Sequence, residues 1–241
     1  MSDRVRVQSV QQFLEQVWKV PSQANTAVTL FRGQMHGHPL LPKLFRGNTP
    51  EIVLKNEVPM LDYLKSQARY LHPSTPDNDW NWISLGQHYG MSTRMSDWSE
   101  NPLVALFFAV EEDRQKNNQP LVFHYPVHEN SMLKNEDFQK ISPFGIPHTR
   151  VIKVGHHSHR SEAQAAWQVV HAIHNLDKGS PKFYALENMD PHNVRITKIF
   201  IDPERVAFIR EELSRWGIRH STIYGDFGWV CRSIAPTFGL S

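Results

Sequence analysis

Apolar residues recur along this chain first with helical spacing and later with strand spacing. Over residues 8–18, Val10, Phe13, Leu14, Val17 and Trp18 fall on one helical face, and Pro21 closes the segment. Residues 26–32 are a short β-rich run that stops at Gly33 and predicts a strand. A second helix is expected over 50–71, with Val53, Leu54, Val58, Leu61, Leu64 and Ala68 on one side, followed by a polar break over 73–79. Residues 83–89 read as helical or extended and lead into a loop over 90–101. Pro102 then opens a helix carrying Leu103, Ala105, Leu106, Phe108 and Ala109. Proline suits a first helical turn, and Asn101 before it can cap the free amides.

Strands are expected over 121–127, 164–173 and 194–201, the last with clean alternation. Between the first two lies a polar, histidine-rich stretch, 130–160, broken by Pro143, Gly145 and Pro147. It reads as a long surface excursion, and such excursions often carry function. An amphipathic helix over 203–216 ends at Gly217, and 221–231 reads as a loop with a last short helix. Helices first and mixed strands and helices after them imply an α+β fold rather than a doubly wound one, with residues 1–241 as a single domain.

The bulk numbers narrow this picture. The 241 residues are 40% hydrophobic and 21% charged, enough for one large core and unlike a disordered chain. A net charge of +2 does not by itself call for nucleic acid, but it does not repel a phosphate ligand. The one cysteine, Cys231, excludes an intrachain disulfide and a cysteine-based zinc site. The polar first ten residues and the lack of an apolar run of about 20 residues lead us to expect a cytoplasmic protein with no membrane partner. His156, His157 and His159 cluster, with His171 and His174 following, but the spacing fits no helical zinc pair, so no metal is expected.

Four ordered blocks carry a resemblance. The first is Phe31-Arg32-Gly33-Gln34, continued by 40–46, Leu-Leu-Pro-Lys-Leu-Phe-Arg. The strongest is 87–110, from Gln87-His-Tyr-Gly through Thr93-Arg94 and Asp97-Trp98 to Asn101-Pro102 and Phe108. Arg160-Ser-Glu-Ala-Gln164 and Thr222-Ile-Tyr-Gly-Asp226 complete the set. Together, over about 28–232, these blocks resemble the FRG-domain family. The chain departs from the family's usual form at Ser92, where a proline is common, near Met95 and Ser96, at Ala165-Ala166 and at Gly225.

The Phe-Arg-Gly triplet also resembles the first strand of ADP-ribosyltransferases of the arginine-serine-glutamate type. That likeness implies a core resembling their fold, with NAD as substrate. Arg32 and Gly33 would hold its phosphates, and Ser92, Thr93 and Arg94 would brace the nicotinamide pocket, with Tyr89 and Trp98 offering rings to stack. The catalytic carboxylate or amide would come from Glu162, Gln164 or Asp226, since cleavage passes through an oxocarbenium-like state that an acid stabilises. Gln164 stands where the strict pattern has its glutamate. Arg150, Lys153, Arg160 and Trp167 combine cations with a ring, as single-stranded RNA binding requires.

The expected function is therefore an NAD-consuming mono-ADP-ribosyltransferase, an intracellular toxin or anti-phage effector acting on nucleic acid, with an antitoxin as partner. Two other readings stay open: a non-catalytic module holding a nucleotide or nucleic-acid end at Arg32 and Trp98, and a metal-independent nuclease using His and Asp.

Overall fold

The computed structural model describes residues 6–68, 76–111, 119–153, 163–189, 192, 194–225, 231 and 234. Its strands are Arg6–Val7 (β1), Thr26–Gln34 (β2), Met95–Ser99 (β3), Leu121–His128 (β4), Arg150–Ile152 (β5), Ala166–Val170 (β6) and Thr197–Ile201 (β7). They form one sheet in the order β1-β7-β4-β2-β3-β6-β5. The β1–β7 pair is parallel and the other pairings are antiparallel. The helices are Val10–Lys19 (α1), Pro50–Ala68 (α2), Asp79–His88 (α3), Pro102–Val110 (α4), Val206–Arg215 (α5) and His220–Tyr224 (α6). The fold is mixed α+β. Among the described residues, no helix is long and apolar enough to cross a membrane.

Alternation along the strands sends successive side chains to opposite faces of the sheet. Phe31 and Val122 point to the face covered by α1, α4 and α5, where Phe13, Leu106, Phe107, Ile209 and Leu213 are buried. Their neighbours Leu30 and Phe123 point the other way and pack with Tyr125, Trp98, Trp167 and Val169 beneath Leu40 and Leu186 from loops. At the β3–β6–β5 end, α2 and α3 contribute Leu61, Trp80 and Ile83 to a further cluster with Met95 and Val170.

Gly33 shows how closely α4 rests on the sheet. A Cβ at this position would lie 1.8 Å from the Ala105 carbonyl oxygen and 2.7 Å from the Ala109 nitrogen. Only glycine lets the helix backbone approach this far, and the alanines on α4 complete the fit. Asn101 caps α4 as its sequence implies, its Oδ1 accepting from the Leu103 amide at 2.9 Å.

Three expectations change. The expected loop over 90–101 contains β3, which its buried, hydrogen-bonded Ser96 and Ser99 disguise as a polar segment. Within the expected surface excursion, β5 forms and Leu133, Phe138 and Ile146 are buried against α3 and the sheet. Isolated apolar residues without a period give no pattern to detect. On α2, Leu54 and Val58 are 39% and 44% exposed, while Glu57 is 4% exposed.

Glu57 is inside because Arg94 meets it there. Arg94 Nε donates to Glu57 Oε1 at 2.7 Å and Nη2 donates to Oε2, a bidentate pair with the arginine 1% exposed. Nη1 donates to the Pro143 carbonyl at 3.0 Å, and the guanidinium lies 5.6 Å from the centre of the Phe144 ring. One side chain thus ties the start of β3 to α2 and to the 143–144 segment.

A second buried polar group lies close by. Trp98 Nε1 donates to Ser96 Oγ at 3.0 Å, and that hydroxyl is 3.0 Å from His171 Nε2. The hydroxyl has one proton and two lone pairs, so it can accept from Trp98 and still either donate to Nε2 or accept from it. Nδ1 has no partner among the described residues. Burial, followed by the Arg32, Arg94 and His174 charges, pushes the His171 pKa down to about 3.

Glu57→Ala or Arg94→Ala alone is expected to cost about 3–5 kcal/mol by stranding the other charge, and the double variant less than the sum. A double-mutant cycle by chemical denaturation checks this, and additive losses would refute it. Between pH 6.5 and pH 3 the unfolded chain binds a proton at His171 that the folded chain refuses, so stability falls as pH falls. His171 alone is expected to remove about 2 kcal/mol between pH 7.5 and pH 5. His124 and His174, also lowered by burial, add in the same direction. The slope of stability against pH should become shallower in His171→Gln.

Candidate functional site

β2 and β3 share one register pair, Phe31 with Ser99, whereas β2 stays paired with β4 as far as Gln34. Beyond Phe31, β3 turns away from β2 and toward β6. Arg32 spans the resulting gap, its Nη1 donating to the Asp97 carbonyl. Two adjoining hollows flank this bridge. One, of 330 Å³, is walled by Phe31, Gln34, Met35, His36, His38, Ser99, Val104, Phe108 and Gln164. The other, of 290 Å³, is walled by Pro42, Lys43, Gln87, Gly90, Met91, Thr93 and Ser96. Arg32, Arg46 and Asp97 belong to both, so they stand at the waist between the hollows.

The waist is polar and braced. Asp97 Oδ1 accepts from Gln87 Nε2 at 2.6 Å and from Gln168 Nε2 at 3.4 Å. Gln87 Oε1 accepts in turn from the Thr93 hydroxyl, which also accepts from the Met95 amide at 3.1 Å. The Asp97 side chain therefore has one oxygen engaged, and Oδ2 is free among the described residues. Arg32 uses its side chain on a backbone carbonyl, not on the carboxylate, which leaves most of its N–H donors without a described partner. Burial lowers the Arg32 pKa, the Asp97 charge raises it and Arg46 lowers it again. A guanidinium stays cationic through such shifts.

The residues singled out from sequence divide into distinct groups. Arg32, Gln164 and Thr93 all reach this cleft: Arg32 at the waist, Gln164 on one side and Thr93 on the other. Gln164 Nε2 donates to the Ile223 carbonyl at 3.3 Å and its own carbonyl accepts from Ser99 Oγ at 2.6 Å, which ties the segment entering β6 to α6 and β3. Ser92 lines neither hollow, and Tyr89, 72% exposed, lies outside both. Arg94 is no pocket residue, because its guanidinium is consumed by Glu57 and Pro143. Gly33 borders the first hollow, but its missing side chain makes room for α4 rather than for a ligand. Trp98 borders the same hollow yet is 3% exposed and packs on Tyr125 at 5.5 Å, so its ring belongs chiefly to the core.

The expected RNA platform is engaged internally. Trp167 is 6% exposed and donates its Nε1–H to Glu100, while Lys153 pairs with Glu100 at 3.4 Å and sits 5.1 Å from the Trp167 ring centre. Arg150 donates to the Asn130 carbonyl at 2.6 Å. Among the described residues, the Trp167 ring is largely covered, while Lys153 and Arg150 each have one partner and keep further N–H donors. Glu162, Asp226, Arg160, His156, His157 and His159 lie outside the described residues. From sequence, Arg46, Gln87 and Asp97 are given no role, although all three fall within the motif blocks. Arg46 and Asp97 both line the waist.

No curated protein and no solved structure matches the chain. Residues 27–118 match the FRG domain, a span that runs from β2 through α4 and supplies Arg32, Arg46, Gln87, Thr93 and Asp97 to the cleft. Over that span, less than half of the chain, the sequence is similar to the FRG domain.

Proposed function

We propose that this protein is an NAD-dependent mono-ADP-ribosyltransferase whose cleft holds the dinucleotide across the Arg32 waist. The observation that carries the reading is the bipartite cleft itself. A dinucleotide is two nucleosides joined by a pyrophosphate, and here two hollows of similar size, 330 and 290 Å³, meet at a pair of arginines. A guanidinium with spare donors offers charge-assisted bonds to phosphate oxygens, and Arg32 is already aimed by its bond to Asp97. Apolar walls at Phe31, Val104 and Phe108 on one side suit a planar ring, while the other side is more polar.

The proposed acceptor is nucleic acid, RNA first. Its support is the pair of cations, Lys43 and Arg46, that border the cleft. An enzyme that spends NAD to mark a nucleic acid suits a toxin or anti-phage effector in the cytoplasm, held in check by an antitoxin protein. The rival that the same geometry admits is a binding module that holds a nucleotide without reacting it.

Arg32→Ala and Arg32→Lys test the clamp. Both are expected to weaken NAD binding about 10- to 100-fold, the worth of charge-assisted hydrogen bonds, with lysine rescuing little because it lacks the planar fork. Melting temperatures should stay close to the parent, in contrast to Arg94→Ala. Binding read by thermal shift with NAD and ADP-ribose decides it. Full NAD affinity in Arg32→Ala would remove the clamp, and collapse of the fold in both variants would make Arg32 a structural bridge only.

A further inference from the structure

We infer that Asp97 is the carboxylate that attends the reacting ribose and accepts the proton of the attacking group. The inference rests on the transferase reading above and supplies the acid that reading needs. Among the described residues that wall the two hollows, Asp97 is the only carboxylate, and it borders both. It stands beside Arg32 on the waist, and in NAD each ribose is the group attached directly to the pyrophosphate. A dinucleotide whose phosphates meet Arg32 therefore brings a ribose to Asp97.

The carboxylate is prepared for such a task. Gln87 and Gln168 both donate to Oδ1, which anchors the group and leaves Oδ2 without a partner among the described residues. Gln168 is 8% exposed and its Oε1 has no partner among the described residues, so its amide stays in place because the nitrogen serves Asp97. Gln87 is locked in turn by the Thr93 hydroxyl. Arg32 takes the Asp97 backbone carbonyl rather than the side chain, so the acid is not neutralised by a direct ion pair. A fixed anion of this kind stabilises an oxocarbenium-like centre without reorganising during the reaction.

The C1′–N bond to nicotinamide breaks, and its electron pair leaves on the ring nitrogen, converting the pyridinium to neutral nicotinamide. The acceptor's hydroxyl or amine forms the new bond to C1′, and its proton passes to Asp97 Oδ2 and then to water. No metal, oxidant or second cofactor enters.

The test uses the full chain with NAD and a cell lysate as acceptor source, following nicotinamide release, label transfer and NAD binding by calorimetry. Asp97→Asn, which keeps an oxygen for Gln87 and Gln168, is expected to bind NAD as the parent does while nicotinamide release falls about 100-fold or more. Asp97→Ala should regain part of its rate when formate is added, which a purely structural role would not allow. Parental rate in Asp97→Asn with loss of rate in Glu162→Gln or Asp226→Asn overturns the assignment and leaves the transferase standing. Loss of NAD binding in Asp97→Asn also overturns it. A parent that binds NAD but neither releases nicotinamide nor transfers label brings down both.

Discussion

Beyond the Phe31–Ser99 pair, β3 parts from β2, and the guanidinium of Arg32 bridges the opening to the Asp97 carbonyl. A continuous ladder at this point would fill the sheet and leave nowhere to bind a ligand. The divergence creates the two hollows, and the bridge places a cation where they meet. What surrounds the bridge keeps it open. Gly33 lets α4 press against β2 from one face, while the Arg94–Glu57 pair ties the start of β3 back to α2. β3 is thereby held away from β2 by its own attachments rather than by loop strain.

The two arginines show how similar residues take opposite roles. Arg94 gives three of its five N–H donors to Glu57 and Pro143 and, at 1% exposure, is covered from any ligand. Arg32 makes one described bond, to a backbone carbonyl, and borders open space. A buried pair of the first kind contributes little net energy compared with apolar packing, but losing one partner is costly. It acts here as a fixed joint between elements far apart in sequence. The second kind is a cation held in place with N–H donors to spare.

Much of the fold was legible. The amphipathic stripe of α1, the Asn101-Pro102 start of α4 and the alternation of β7 each gave the element type directly. β3 was not legible, because Ser96, Asp97 and Ser99 read as loop residues while their hydrogen bonds to His171, Gln168 and Gln164 are what make them a strand's residues. Glu57 was missed for a related reason: a carboxylate enters a core only with its partner, and Arg94 lies far along the chain. Of the site, Arg32, Thr93 and Gln164 were found through the motif blocks. Asp97 and Arg46 needed the sheet to be folded, since only its divergence shows that they share a space. Arg94 and Trp98 came from the resemblance and Trp167 from its basic neighbours, and neither source shows that all three side chains are buried.

In the proposed function one ligand occupies both hollows across a common waist. Calorimetric titration of the parent protein with NAD, nicotinamide mononucleotide and AMP tests it most directly. NAD is expected to bind more tightly than either half, with each half competing against it, because the pyrophosphate and both nucleosides are engaged at once. AMP or nicotinamide mononucleotide binding as tightly as NAD, or no competition between the halves and NAD, would contradict a cleft built for a dinucleotide.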